Sequence, residues 1–316
     1  MIKTAQRLRT GAATHPGRVR ENNQDSYFAG ERLIVVADGV GGAAGGEVAS
    51  AAAIAAMSAV DTEQAADSPD AAAAAFISAG DDAAARIRAA TEAKPELAGM
   101  GTTLSAFLLT GDQIVMAHAG DSRAYRLRGG EMVQLSKDDS YVQLLIDRGS
   151  LRPEDAESHP QRNLVTKVLQ TDPVDLSLRK EFVELGDRYL VCSDGLTGVV
   201  HRDIIVATLG EVADPTECAN ELIELALERG APDNVTAVIG DVIAEEPEPE
   251  PEMPPTVKLP IVDAEVAATG APVDAPAVLS IDAPGVMPAL APEPEPPVRR
   301  GFFARVFGRR HGRRRR

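Results

Sequence analysis

Four aspartates in this chain of 316 residues stand at the edges of short apolar runs, far apart in sequence. Residues 33–37, L-I-V-V-A, run straight into Asp38-Gly39, and glycines follow before an Ala-rich stretch with helical spacing. Residues 189–192 end in Ser193-Asp194-Gly195, residues 115–119 lead to Gly120-Asp121-Ser122-Arg123, and Asp233-Asn234 precedes the run 235–242. A single Asp-Gly pair is ordinary turn chemistry. Its repetition changes the reading, because a carboxylate where a strand leaves the core is costly to bury unpaired. Four of them can converge on a cation if their strands lie side by side. Oxygen donors of this kind suit Mg2+ or Mn2+, and no Cys/His set with zinc spacing competes with them.

The elements that must carry these groups are read from periodicity. Residues 33–37 predict a buried strand, followed by a tight turn and a helix. Residues 15–25, H-P-G-R-V-R-E-N-N-Q-D, predict a loop entering a strand near 26–28, and the basic pair Arg18 and Arg20 stands out within it. Helices are predicted over 47–60 and 70–93 and a strand over 102–109. A meander follows at 113–119, 123–128 and 132–135, with Gly129-Gly130 as a hairpin turn. A short helix is predicted at 141–148. Residues 149–175 predict a flap with one helical piece near 163–169. Two strands bracket Gly186-Asp187, helices follow at 203–209 and 215–229, and 235–242 is expected to close the sheet. Strands outnumber helices and many are joined by hairpins, so the fold class is α+β, with mostly antiparallel sheets and helices outside.

Composition bounds the rest. The net charge of -16 is unevenly spread: residues 1–244 carry 22 basic and 37 acidic groups, 245–298 carry 1 and 11, and 299–316 carry 9 and 0. An acidic body argues against non-specific nucleic-acid binding by the folded part. Two cysteines make no disulfide framework; Cys192 in a predicted strand and Cys218 in a predicted helix read as reduced packing residues. The first residues lack the apolar region of a signal peptide, and no stretch reaches about 18 consecutive apolar residues. The expectation is a cytosolic, monomeric protein. Residues 244–298 hold 14 of the 22 prolines and predict an extended linker without a core. In 299–316, Phe302, Phe303, Val306 and Phe307 would share one helical face among arginines, a composition that suits an anionic membrane surface or the protein's own acidic domain. The first would place the protein peripherally on the inner membrane face.

Six motifs, in order, now carry a resemblance. R-E-N-N-Q-D (20–25), V-A-D-G-V-G-G (36–42), G-M-G-T-T-L (99–104), A-G-D-S-R-A-Y (119–125), C-S-D-G-L-T (192–197) and D-N-V-T (233–236) resemble those of the metal-dependent serine/threonine protein phosphatases of type 2C, most of all their bacterial branch. The likeness covers residues 5 to 243, within an expected catalytic domain of 1–243. It implies a four-layer α-β-β-α sandwich of two antiparallel sheets, with two Mn2+ or Mg2+ ions at one end. By the same resemblance Asp38 bridges the metals, the Gly39 carbonyl binds one, and Asp194 and Asp233 complete the pair. Asp121 would hold a weaker third metal, with Ser158 of the flap a candidate to approach it. Arg20 would clamp the phosphate, and Asp25 would orient metal-bound water. The substrates implied are phosphoserine and phosphothreonine proteins, opposing a bacterial Ser/Thr kinase, hydrolysed by attack of a metal-bridging hydroxide without a phospho-enzyme.

One position departs from the eukaryotic pattern D-G-H-G-G: this chain has Val40 where those relatives carry a proposed general acid. His15 and His159 are candidates to replace it, water is another, and His118 reads as a hydrogen-bonded core residue. Two other readings compete. G-V-G-G-A-A after a strand matches a dinucleotide-binding turn, yet Asp38 would repel a pyrophosphate and no acidic residue ends a second strand at the required distance. A catalytically silent phosphoprotein-binding module of the same fold would be supported by loss of a metal aspartate or of Arg20, and all are present.

Overall fold

The run L-I-V-V-A lacks the alternation of a half-exposed strand because both of its faces are buried. In the computed structural model it forms β3 (Leu33–Val40). Leu33, Val35 and Ala37 pack beneath helices, while Ile34 and Val36 face a second sheet. The structure describes residues 6–41, 45–156, 158–172 and 175–245. The expected tail and all but the first residues of the expected linker lie outside these.

Two antiparallel sheets stack face to face. One has the order β2 (Asp25–Ala29), β3, β5 (Leu104–Thr110), β6 (Gln113–Ala119), β9 (Ser177–Phe182), with the two-residue β4 (Gly101–Thr102) added on β3. The other has the order β1 (Gln6–His15), β11 (Val235–Ala244), β10 (Arg188–Cys192), β7 (Arg123–Arg128), β8 (Glu131–Gln134). Between them lies an apolar layer that includes Phe107 and Tyr189, whose rings meet edge-on at 5.0 Å. Helices α1 (Gly45–Met57) and α3 (Pro69–Ala93), with the short α2 (Glu63–Ala66) between them, cover the first sheet. The short α5 (Asp194–Thr197), with α6 (Arg202–Glu211) and α7 (Pro215–Glu228), covers the second. This is the four-layer α-β-β-α sandwich. A separate short helix, α4 (Tyr141–Asp147), opens the flap.

Helix starts follow their sequence signals. Ser68 accepts the Ala71 amide ahead of Pro69, and Asp214 accepts the amides of Thr216 and Glu217 ahead of Pro215. Cys192 and Cys218 are buried and free, as expected.

Two expectations are corrected, and one strand appears that the sequence reading leaves unassigned. Residues 6–15 form a full strand, β1, paired with β11 from Gln6 opposite Ala244 to His15 opposite Val235. Its polar residues hid it, because one face of β1 is only partly covered. For the same reason β11 does not close its sheet; it lies between β1 and β10. The helical piece near 163–169 is instead irregular, with isolated bridges from Val165 to Ser140 and from Leu169 to Thr102. Leu169 is buried by pairing with the sheet edge, whereas Leu164 stays exposed, so the apolar spacing there serves no single helical face.

Arg188 ties the second sheet to its helices. Its guanidinium binds both carboxylate oxygens of Asp241, at 2.6 and 2.9 Å, and donates to the carbonyls of Leu209, Val212 and Ala213 around the end of α6. Without Arg188, Asp241 keeps only the half-exposed Arg9, 2.9 Å from its Oδ2, as a charged partner, and a buried carboxylate that loses its main partner is strongly destabilising. Arg188→Met is therefore expected to lower unfolding free energy by about 3 kcal/mol in urea titration; a loss under about 1 kcal/mol would show that the pair acts as a surface bridge.

Candidate metal centre

The four aspartates do not come from strands side by side in one sheet. Asp38 at the end of β3 and Asp121 just after β6 belong to the first sheet, whereas Asp194 after β10 and Asp233 before β11 belong to the second. Their chain ends meet at one end of the sandwich. Asp25 joins them, because the β2–β3 register sets it opposite Asp38.

Asp25 also links the two sheets. Its Oδ2 accepts the hydroxyls of Ser193, at 2.8 Å, and Thr236, at 2.7 Å, both from the second sheet. Its Oδ1 is buried without a partner. Asn234, beside Asp233, fastens the loop before β2: its side chain accepts the Gln24 amide and donates to the carbonyls of Pro16 and Asn22. Asn234 was visible only as part of a motif; its clamp required the fold.

Close backbone approach completes the frame. A Cβ on Gly39 would lie 2.1 Å from the Gly46 carbonyl oxygen, and one on Gly46 would lie 2.5 Å from the Gly39 oxygen. Both glycines are thus needed for α1 to begin against the end of β3.

Burial and mutual repulsion raise the proton affinity of these carboxylates. Burial, then repulsion from Asp25, Asp194, Asp121 and Asp233, holds Asp38 well above the usual carboxylate range. Burial, reinforced by Asp194 and Asp233, pushes Asp25 up to about 6 against the hydrogen bonds from Thr236 and Ser193. Burial, then Asp194 and Asp138, pushes Asp121 up to about 7, and Asp194 is raised by burial and by Asp233. Arg20 donates to Asp233 at 2.8 Å with its side chain 56% exposed, so this cation sits at the mouth of the group rather than inside it.

The donors fit a hard divalent cation: they are all oxygen, densely negative, and include an unpaired buried oxygen on Asp25. Among the described residues no three His, Cys, Asp or Glu side chains close on a single point. Two of the carboxylates are instead held by protein partners, Asp233 by Arg20 and Asp25 by Ser193 and Thr236.

Beside Asp121 and Asp194 opens a cleft of about 560 Å³, also lined by Arg123, Arg162, Asn163 and His201. Arg123 is spoken for by a bidentate pair with Asp138. Ser158 is not on the cleft wall; it is exposed and donates to the Asp155 carbonyl. His15 and His159 turn their Nδ1 atoms to the backbone amides of Gly17 and Gln161, and neither lines the cleft. The histidine that does, His201, lay in no motif. His118 is the buried, hydrogen-bonded residue expected.

Comparison with known proteins places the chain in a family. The family model described as protein phosphatase 2C matches residues 15–228. The serine/threonine protein phosphatase PstP of Mycobacterium tuberculosis is 45% identical over 236 residues, 75% of this chain and 45% of PstP. The chain thus spans about half the length of that relative. Protein phosphatase PhpP of Streptococcus pneumoniae is 33% identical over 256 residues, 74% of this chain and 98% of PhpP. Among solved structures, the catalytic domain of PstP in complex with two manganese ions superposes with a TM-score of 0.68 at 43% identity, covering 75% of this chain and 99% of that one. With six ordered motifs, a two-sheet sandwich and a carboxylate group at its end, the chain belongs to the protein phosphatase 2C family.

Proposed function

We propose that this chain is a metal-dependent serine/threonine protein phosphatase, hydrolysing phosphoserine and phosphothreonine and reversing the work of a bacterial Ser/Thr kinase. The observation that carries the reading is the gathering of Asp25, Asp38, Asp121, Asp194 and Asp233 at the seam of two sheets, with Arg20 at its mouth. Asp38, Asp194, Asp233 and the Gly39 carbonyl would hold two Mn2+ or Mg2+ ions, and Asp121 a weaker third. When bound, such ions make water nucleophilic near neutral pH and neutralise charge on the phosphoryl oxygens.

The chain's own residues divide the remaining work. Arg20 presents planar, fixed donors to two phosphoryl oxygens. Its exposed pairing with Asp233 is weak enough to exchange for substrate. Asp25, immobilised through Oδ2, keeps Oδ1 as an acceptor that can orient a water. Val40 carries no ionisable group and neither His15 nor His159 lines the cleft, which supports water as the proton source for the leaving hydroxyl. Ser158 stands outside this scheme.

We assign 1–243 as the catalytic domain, 244–298 as a linker and 299–316 as a tail that draws the domain to anionic membrane. The excess of arginine among Phe302, Phe303, Val306 and Phe307 supports that assignment.

Three measurements test these assignments. The full chain is expected to release phosphate from a phosphothreonine peptide with Mn2+ or Mg2+ and not in chelator. Asp38→Asn should lower turnover by more than about 100-fold while its circular dichroism stays unchanged; undiminished turnover would remove the metal assignment. The second concerns pH. A carboxyl raised in the native state binds more protons there than in the unfolded chain, so its contribution to stability falls as pH rises. In chelator, Asp121→Asn should therefore gain stability over the parent protein as pH rises from about 5 to about 8, a comparison that cancels the opposite effect of His118. A gap that narrows would contradict the burial of Asp121. Third, the full chain should sediment with phosphatidylglycerol vesicles and lose this after deletion of 299–316; equal binding by the truncated chain would exclude the tail as anchor.

A further inference from the structure

The backbone of Asp38 is held in an unusual way. The register that pairs Val36 with Ser105 and Gly39 with Thr102 sets Asp38 opposite Thr103. Thr103 donates its amide to the Asp38 carbonyl at 2.8 Å, as a ladder requires. The return bond is different: the Asp38 amide donates to the Thr103 hydroxyl, at 3.0 Å, where a regular antiparallel pair would use the backbone carbonyl. A side chain has replaced one rung of the sheet, and the assigned strands β4 and β5 are separated at this residue.

Thr103 has little freedom to move. It is fully buried. A Cβ on Gly120 would lie 2.6 Å from both Cβ and Cγ2 of Thr103, so its methyl group occupies the space that Gly120 leaves open. Its hydroxyl lies 2.8 Å from Ser122 Oγ. Having accepted from Asp38, the hydroxyl keeps one proton and one lone pair, so it can pair with Ser122 in either direction. Ser122 is anchored in turn: its carbonyl accepts from Ser105, whose hydroxyl lies 2.9 Å from His118 Nδ1, and His118 Nε2 meets the Lys137 carbonyl. Nearby, the Thr102 hydroxyl lies 2.9 Å from the Asp38 carbonyl oxygen.

We propose that Thr103 is a positioning residue for Asp38: its hydroxyl, oriented by buried Ser122, holds the Asp38 amide and so fixes where that carboxylate enters the seam between the sheets. The inference rests on the phosphatase reading, in which Asp38 bridges the metal ions. It concerns a residue that touches neither metal nor substrate. Support of this kind for a metal ligand changes affinity and rate by about 10- to 100-fold when lost.

The test compares Thr103→Val, which keeps the shape and removes the hydroxyl, with Thr103→Ser, which keeps the hydroxyl. Both are made in the full chain. Mn2+ binding is measured by calorimetry, and kcat and KM with a phosphothreonine peptide. Thr103→Val is expected to weaken Mn2+ binding and lower kcat by about tenfold each, with KM unchanged, and Thr103→Ser to return both to within about threefold of the parent. Parent-like values in Thr103→Val would overturn the proposal. So would equal impairment in Thr103→Ser, which would trace the effect to disturbed packing at this buried position and not to the missing hydroxyl. Should Thr103→Val not fold, Ser122→Ala carries the test: weaker Mn2+ binding and lower kcat support the proposal, and parent values reject it. A parent protein that binds no Mn2+ would instead remove the phosphatase reading, and this inference with it.

Discussion

Like charge held at a seam governs this molecule. Five carboxylates meet where the two sheets end, and burial together with mutual repulsion drives the affinities of Asp25, Asp38, Asp121 and Asp194 for protons upward. Folding has to bring these groups together against that repulsion. The compensation among the described residues is partial: Arg20 reaches Asp233 from the solvent side, and hydroxyls from Ser193 and Thr236 reach one oxygen of Asp25. Protonation relieves part of the repulsion; a divalent cation is the compensation that would leave these oxygens charged.

The rest of the fold supplies the rigidity that such strain demands. Three apolar layers, one between the sheets and one under each helical pair, account for the continuous runs in β3, β10 and β11. Strands buried on both faces cannot slip in register without moving apolar side chains into the wrong layer. The aspartates at their ends inherit that precision. Gly39 and Gly46 then bring α1 hard against the end of β3, and Asn234 stitches the loop that carries Arg20 to the start of β11.

A second polar system lies behind the carboxylates. The path from the Asp38 amide through Thr103 and Ser122 to Ser105 and His118 is a continuous run of hydrogen-bond contacts. Networks of this kind fix geometry more than they add net stability, since each bond replaces one with water. Its position, one rung of a sheet away from the charged seam, suits that role.

Much of this was legible in the amino-acid sequence. The aspartates at Asp38, Asp121, Asp194 and Asp233 announced themselves because each follows or precedes an apolar run, a local signal that needs no tertiary information. Cys192, Cys218 and His118 were readable as core residues for the same reason. The sequence could not show which strands are neighbours. Strand pairing is non-local, so β1, polar and only partly covered, went unrecognised although it pairs along ten residues with β11. Nor could it show that the carboxylates come from two sheets instead of one. The apolar spacing at 163–169 imitated a helix, and only the pairing of Leu169 with Thr102 overruled it. Placement in the cleft followed the same division. His201 lines it and Ser158 does not, because the wall is assembled from segments whose proximity is set by packing and not by any pattern along the chain. Residue type determined which chemistry was available; the stacking of two sheets decided which residues share it.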